Sequence, residues 1–364
     1  MAQPIAENSK ISPFLVYYLI ISMQIGIGIL GYQRMIAKDA GYDSWIAVLV
    51  TGLFIHIILW MMYKILETVD GDMVKVHQYI MGEKIGKLFS SIFIFYFCLY
   101  SITVLRSFVE VIQVWMFPDI SVFWFSFAFY GLCIYIIFGG FRTVTGIAFF
   151  GTVLPIYLIF IFGYALPYAD ISNIQPIMDH SIKELLKACF HMSLTYTGYE
   201  TLLFVYPFLK NPQKSKKWAH FSVLTTTIIY TGLALITFSY FAEKQLQETI
   251  WPTLNIWKIV EMPFVERFEY IGIANWNLIV LPNVCISLWI ASRLMKQIFK
   301  LKQRKGIIIV SLACLIGSSM ITTRLEINNL SNIFGYSSFA INMFYIPCLF
   351  IAVMIAKKVK QNAQ

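Results

Sequence analysis

Ile25-Gly26-Ile27-Gly28-Ile29-Leu30-Gly31 puts three glycines into six positions in the middle of an otherwise apolar run spanning 13–36. Each glycine in a helix interior costs about 1 kcal/mol relative to alanine. Two structures explain such a run. Small residues let a second helix pack closely. Alternatively the helix is broken here, freeing backbone amides and carbonyls, with the N-terminus of the outer half-helix presenting partial positive charge to a ligand carboxylate.

The surroundings of the run are those of a membrane protein. Of 364 residues, 59% are hydrophobic, 17% aromatic and 13% charged. A soluble domain carries about a quarter charged residues, which excludes a water-soluble globular enzyme. Apolar blocks recur along the whole chain at the length that a hydrocarbon layer about 30 Å thick requires of a helix. Read against intervening charge, Gly and Pro, they predict ten spans, at 13–36, 44–66, 88–117, 120–140, 144–167, 185–208, 218–241, 267–295, 307–323 and 333–356. Pro118-Asp119 divides the third from the fourth. The expected fold class is therefore all-α integral membrane, one polytopic domain over 1–364 with no soluble module. Ten spans divide five plus five, at 13–167 and 185–356, and in an inverted repeat the first and sixth would correspond.

The net charge of +9 comes from Lys and Arg in short connections, so no nucleic-acid partner is expected. With both termini inside, the cytoplasmic connections hold more than twice as many Lys and Arg as the outer ones, which predicts cytoplasmic termini. The connection at 242–266 is acidic (Glu243, Glu248, Glu261, Glu266) and carries Trp251-Pro252 and Trp257, so it is expected to fold onto the outer membrane face. Met1 to Pro13 lacks the layout of a cleaved signal. All six cysteines fall in apolar blocks and the five histidines show no paired ligand spacing. No metal or cofactor is expected. Walker, HExxH and GxSxG motifs are absent, so no catalytic constellation can be named and the chain is not expected to be an enzyme.

The sixth span has its own interruption, Thr195-Tyr196-Thr197-Gly198-Tyr199-Glu200. A carboxylate near the bilayer middle costs several kcal/mol unless it faces a cavity or a partner, which makes Glu200 a functional pointer. The alternative is a protonated acid in a structural hydrogen bond, and the sequence does not choose the protonation state. Arg106 and Glu110 lie four residues apart on one helix face, either a structural ion pair or an outer gate. Tyr100 and Val104 share a face of the same helix, suited to a cavity wall. In the eighth span Pro282 removes a hydrogen bond beside Asn283, with Asn275, Asn277 and Ser287 nearby. This is either a cavity-facing kink or a satisfied one.

The glycine-broken first span, the interrupted sixth and the ten spans together resemble the amino acid, polyamine and organocation transporter superfamily. Within it the chain is similar to bacterial endospore germination permeases, the B subunits of nutrient germinant receptors. The residues that carry the likeness are Ile25 to Gly31, Gly82-Glu83-Lys84-Ile85-Gly86-Lys87, Gly198-Tyr199-Glu200, Tyr206-Pro207 and Lys210-Asn211-Pro212. The resemblance runs essentially end to end. It implies a five-plus-five inverted repeat that binds a small nutrient, typically an amino acid, and acts with a membrane A subunit and a lipoprotein C subunit in the spore inner membrane. It implies a ligand carboxylate at Gly26, Gly28 and Gly31, with walls from Tyr100 and Val104, from Tyr196, Gly198, Tyr199 and Glu200, and from Asn283 and Ser287. The fifth span carries no charge, unlike that of many superfamily transporters, which favours a sensor over the alternative reading, a secondary transporter of amino acids or amines coupled to protons through Glu200. Which nutrient is recognised is not legible.

Overall fold

The computed structural model describes residues 5–260 and 266–362. Helices account for nearly all of it, and among the described residues there is no strand, only an isolated bridge between Ile11 and Leu209. In chain order they are α1 (Leu15–Gln24), a 3-10 turn (Ile27–Leu30), α2 (Tyr32–Ala40), α3 (Ser44–Val69), α4 (Met73–Trp115, kinked at Gly82, whose φ is +77°), α5 (Val122–Phe138), α6 (Phe141–Val153) and α7 (Tyr157–Phe160). The second half has α8 (Ile182–Thr195), α9 (Leu202–Val205), α10 (Lys216–Tyr240), α11 (Glu243–Glu248), α12 (Pro252–Trp257), α13 (Phe268–Phe299), α14 (Gln303–Met320), α15 (Arg324–Phe339) and α16 (Ile346–Asn362). Six helical stretches are long and apolar enough to cross a membrane: Tyr32–Val69, Met73–Trp115, Phe141–Tyr168, Pro212–Tyr240, Phe268–Phe299 and Arg324–Asn362. Leu15–Gln24 and Val122–Phe138 are shorter apolar helices.

The first and sixth predicted spans are both broken. α1 gives way at Ile25 and Gly26 to the 3-10 turn and then α2, and α8 stops at Thr195 before Tyr199–Thr201 and α9 resume. The last span starts earlier than predicted, at Arg324, behind a capping box in which Thr323 accepts from the Glu326 amide and Glu326 from the Thr323 amide. Such a box satisfies two amides that a helix start leaves orphaned.

α13 is the central helix, with 83% of its most apolar window buried against 22% for Arg324–Asn362. It packs against α4, α6 and α14. α13 is assigned as one helix through Pro282. Proline leaves the carbonyl four residues back, that of Leu278, without its helical donor, and α6 comes so close there that a Cβ on Gly151 would lie 2.3 Å from that oxygen. Only a glycine allows the approach. Large apolar side chains such as Phe95, Leu53 and Tyr135 point outward at 68–78% exposure, a surface that is stable only in lipid.

The connection after α10 folds back as expected. Trp257 on α12 is fully buried, packing against Phe162 and Trp276. Glu261, counted in its acidic character, lies outside the described residues. Of the six cysteines, Cys348 is exposed on the apolar surface, and the others are buried or half-buried thiols.

Candidate functional site

A helix that stops leaves its last four carbonyls unpaired. In α1 these belong to Ser22, Met23, Gln24 and Ile25, because Ile25 N–H still donates to Ile21 (2.8 Å). Side chains from three other helices approach all four, within 2.8 Å for the first three and at 3.5 Å for Ile25. Asn283 Nδ2 donates to Ser22 O (2.8 Å) and, at 3.5 Å, to Ile25 O. Tyr100 Oη lies 2.7 Å from Met23 O, and Tyr230 Oη donates to Gln24 O (2.8 Å). The run of glycines is thus a break with a built socket, not a packing stripe.

Beyond the break, residues of the 3-10 turn line a cavity of about 420 Å³. Gly26, Gly28 and Gly31 line one side, Thr195 and Thr197 a second, Tyr100, Val104 and Asn283 a third, and Glu110, Trp251 and Arg324 lie toward the mouth. At Gly31 a Cβ would lie 2.8 Å from the Ile250 carbonyl, too close without a shift, while at Gly26 and Gly28 it would make tight contacts, 3.0 Å from Asn283 Oδ1 and 3.3 Å from Thr195 Cγ2. Tyr100 Oη also lies 2.7 Å from Asn283 Oδ1, so one hydroxyl proton faces two acceptors. The cavity floor therefore keeps an acceptor to spare.

The break after α8 is different in kind. Gly198 has φ +119°, and a Cβ there would stand 2.7 Å from the Met23 backbone, so the two breaks touch. Glu200 is 0% exposed and does not line the cavity. Its carboxyl accepts from Tyr96 Oη (2.5 Å) and from Gly198 N–H (2.7 Å). Tyr96 also reaches Ser338 (3.1 Å), next to the π-helical turn Ala340–Tyr345 of the last span. Tyr196 and Tyr199 are buried as well; the Tyr196 carbonyl accepts from Gln24 Nε2 (3.1 Å). Of the residues expected here, then, Tyr196, Gly198, Tyr199 and Glu200 lie behind the cavity wall, which Leu194, Thr195 and Thr197 form instead. Ser287 is one turn too far along α13, where its hydroxyl donates to Val284 O (2.9 Å).

The expected ion pair between Arg106 and Glu110 does not form. Arg106 donates to the carbonyls of Ile321 (2.7 Å) and Thr322 (3.2 Å) at the end of α14, which consumes its charge. Glu110 pairs instead with Arg324 (2.5 Å), whose guanidinium also lies 5.3 Å from the Trp251 ring. Helical spacing made Arg106 available, but the α14 carbonyl ends outcompeted one carboxylate.

Sequence reasoning missed Gln24, Tyr96, Thr226 and Tyr230. Gln24 bridges the breaks, since Thr226 donates to its Oε1 (2.9 Å) while its Nε2 holds Tyr196. A buried amide directly before the glycines was a legible signal. Tyr230 carries none, being one tyrosine among 21.

The opposite end is shut. Ile11 N–H donates to Phe208 O (2.8 Å) and Lys210 N–H to Ile11 O (2.9 Å), tying the N-terminal segment to the exit from the sixth span. Gln297 donates to Asp72 (2.6 Å), with Arg293 3.9 Å away. A separate vestibule of about 560 Å³ lies beside this closure, lined in part by Asp72, Lys75, Arg293 and Lys296.

Asp43, Asp179 and His180 form the one trio spaced to hold a metal ion among the described residues. Asp43 already accepts from the amides of Met178 (2.7 Å), Asp179 (2.9 Å) and His180 (3.2 Å). For His180 desolvation is outweighed by Asp43 and Asp179, and its pKa is raised. The trio is a clamp on the loop before α8.

Residues 10–329 match the family model described as spore germination protein. The chain belongs to the spore germination protein family. It is 42% identical over 342 residues to spore germination protein GerQB of Bacillus cereus, covering 94% of this chain and 95% of that one. Among solved structures it is similar to a Na+-coupled sialic acid symporter in a substrate-bound outward-open state (TM-score 0.67, 13% identity, 98% of this chain and 91% of that one). It is also similar to MhsT in complex with L-phenylalanine (TM-score 0.61, 12% identity, 95% and 98%). The spore germination permease is therefore an integral membrane protein with the inverted-repeat transporter fold and broken helices at its first and sixth spans.

Proposed function

We propose that this permease-like subunit senses a nutrient of amino-acid type in the 420 Å³ cavity at the α1 break and signals to partner subunits. The observation that carries the reading is the pairing of opposite chemistries at one place. The amides at the start of the 3-10 turn, about Gly26 and Gly28, suit a carboxylate. The surplus acceptor at Tyr100, Asn283 Oδ1 and Met23 O suits an ammonium group. Val104 and Thr195 would touch the side chain of the nutrient, and the Glu110–Arg324 pair beneath Trp251 would gate the mouth. Binding drives a signal only through a difference in affinity between conformations, and the state described is open at this mouth and shut at the other end.

In this reading the ten spans have cytoplasmic termini, with repeat halves 13–167 and 185–356, in the spore inner membrane beside a membrane A subunit and a lipoprotein C subunit. The likeness to symporters favours a second reading, a proton-coupled carrier of amino acids or amines working through Glu200. The seal around Glu200 weighs against it. Binding and uptake of radiolabelled L-alanine and L-valine by proteoliposomes holding the chain, with and without a proton gradient, separates the two. Saturable binding without accumulation supports a sensor; gradient-driven accumulation overturns it in favour of transport.

A further inference from the structure

The end of α1 is a set of converging carbonyl oxygens in a low-dielectric interior, and carbonyls freed by a helix break are the groups that hold Na+ in carriers of this architecture. Such oxygens must be met by a cation or by donors, because leaving them bare costs several kcal/mol in the membrane. Here the point where Ser22 O, Ile25 O and Ile279 O converge is occupied by a protein atom. Asn283 Nδ2 lies 2.8 Å from the first, 3.5 Å from the second and 2.7 Å from the third. Its two protons serve the two short contacts.

The orientation of that amide is decided by its neighbours. Turned over, Asn283 would set Oδ1 against two carbonyl oxygens at hydrogen-bond distance, acceptor against acceptor, and would give up the Tyr100 proton that Oδ1 accepts at 2.7 Å. Of the two remaining carbonyls of the break, that of Gln24 accepts from Tyr230, and that of Met23 shares the single Tyr100 proton with Asn283 Oδ1. No carboxylate takes part, since Glu200 is turned to Tyr96 and Gly198 N–H. A cation in this position would have to displace the Asn283 amide and be held by neutral groups alone.

We infer that Asn283 stands in for a cation at the α1 break, so that the break itself is assembled without Na+. The inference is independent of which nutrient binds, and of whether the cavity binds one at all. Asn283 is a positioning residue for the break through its Nδ2 face, whatever its Oδ1 face offers to a ligand.

The test uses the purified full chain in detergent, with radiolabelled Na+ binding and melting temperature measured in NaCl and in choline chloride at equal ionic strength. The wild type is expected to bind no Na+ saturably and to melt within about 1 °C in the two salts. Asn283→Asp puts an unpaired carboxylate among three carbonyls. It should melt lower than wild type in choline chloride and recover by about 3 °C or more, saturably, in NaCl. Saturable Na+ binding by the wild type, or a Na+-specific rise in its melting temperature, overturns the inference even where the variant fails to fold. An Asn283→Asp chain as stable as wild type in choline chloride overturns it too, by showing that the amide does not hold the break.

Discussion

The two glycine interruptions look alike in sequence and do opposite things. At the first, residues of the break line a cavity and the freed carbonyls are dressed by side chains from α4, α10 and α13. At the second, the exposed amide of Gly198 is answered by Glu200, two residues along the same chain, and the whole segment is sealed behind Met23. A glycine locates a place where a helix can stop. Whether the stop faces a ligand depends on which neighbours remain to satisfy it, and a carboxylate two residues away closes one break while distant neutral donors leave the other open on one side.

Gly198→Ala should have the largest effect, because it demands both a left-handed backbone and 2.7 Å from the Met23 backbone. We expect a loss of about 3 kcal/mol, read as reduced thermal stability of the purified chain. Wild-type stability would dissolve the claim that the breaks are wedged together. Gly28→Leu should leave the chain inserted at normal abundance and weaken nutrient response at least tenfold, about 1.4 kcal/mol, since its side chain enters the cavity beside Thr195. A normal germination response at normal abundance would remove the first break from the site.

Glu200→Gln sharpens the contrast from the other side. Its carbonyl oxygen can still accept one of the two bonds that Tyr96 and Gly198 donate. Response should fall no more than about threefold, with a stability change of about 1 kcal/mol; complete loss of response would instead favour a charged or proton-exchanging acid. Arg324→Ala, which frees Glu110 at the cavity mouth, should cost about 1 kcal/mol or less and speed modification of a cysteine placed at Thr195. Unchanged labelling would argue against a gate there.

The smallest effect is at the loop clamp before α8. The raised His180 pKa adds stability that is full below about 6.5 and lost as pH rises through the folded value. The wild type should therefore lose slightly more melting temperature than His180→Ala between pH 6 and pH 8.5. Equal losses would show that the imidazolium does not matter to the clamp.

Local chemistry was legible wherever one stretch of chain had to satisfy itself. Apolar length marks a membrane helix because the bilayer offers no other partner, and the glycine runs at 26–31 and around 198 mark the breaks because each residue carries its own backbone cost. Tyr100 and Val104 were placed on the cavity side by helical register alone. Partner choice was not legible. Arg106 and Glu110 were correctly placed on one face, yet the carbonyl ends of α14 took the arginine and Arg324, more than 200 residues away in sequence, took the acid.

The sequence by itself determined the membrane, the helices, the two breaks and the family. The tertiary structure alone decided which break opens on a cavity, that Glu200 is sealed from it, and that an amide of α13 caps the end of α1. The division has one physical cause: transfer into lipid and backbone conformation are costs that each segment bears locally, whereas a buried polar group goes to whichever donor or acceptor the packed helices bring within about 3 Å.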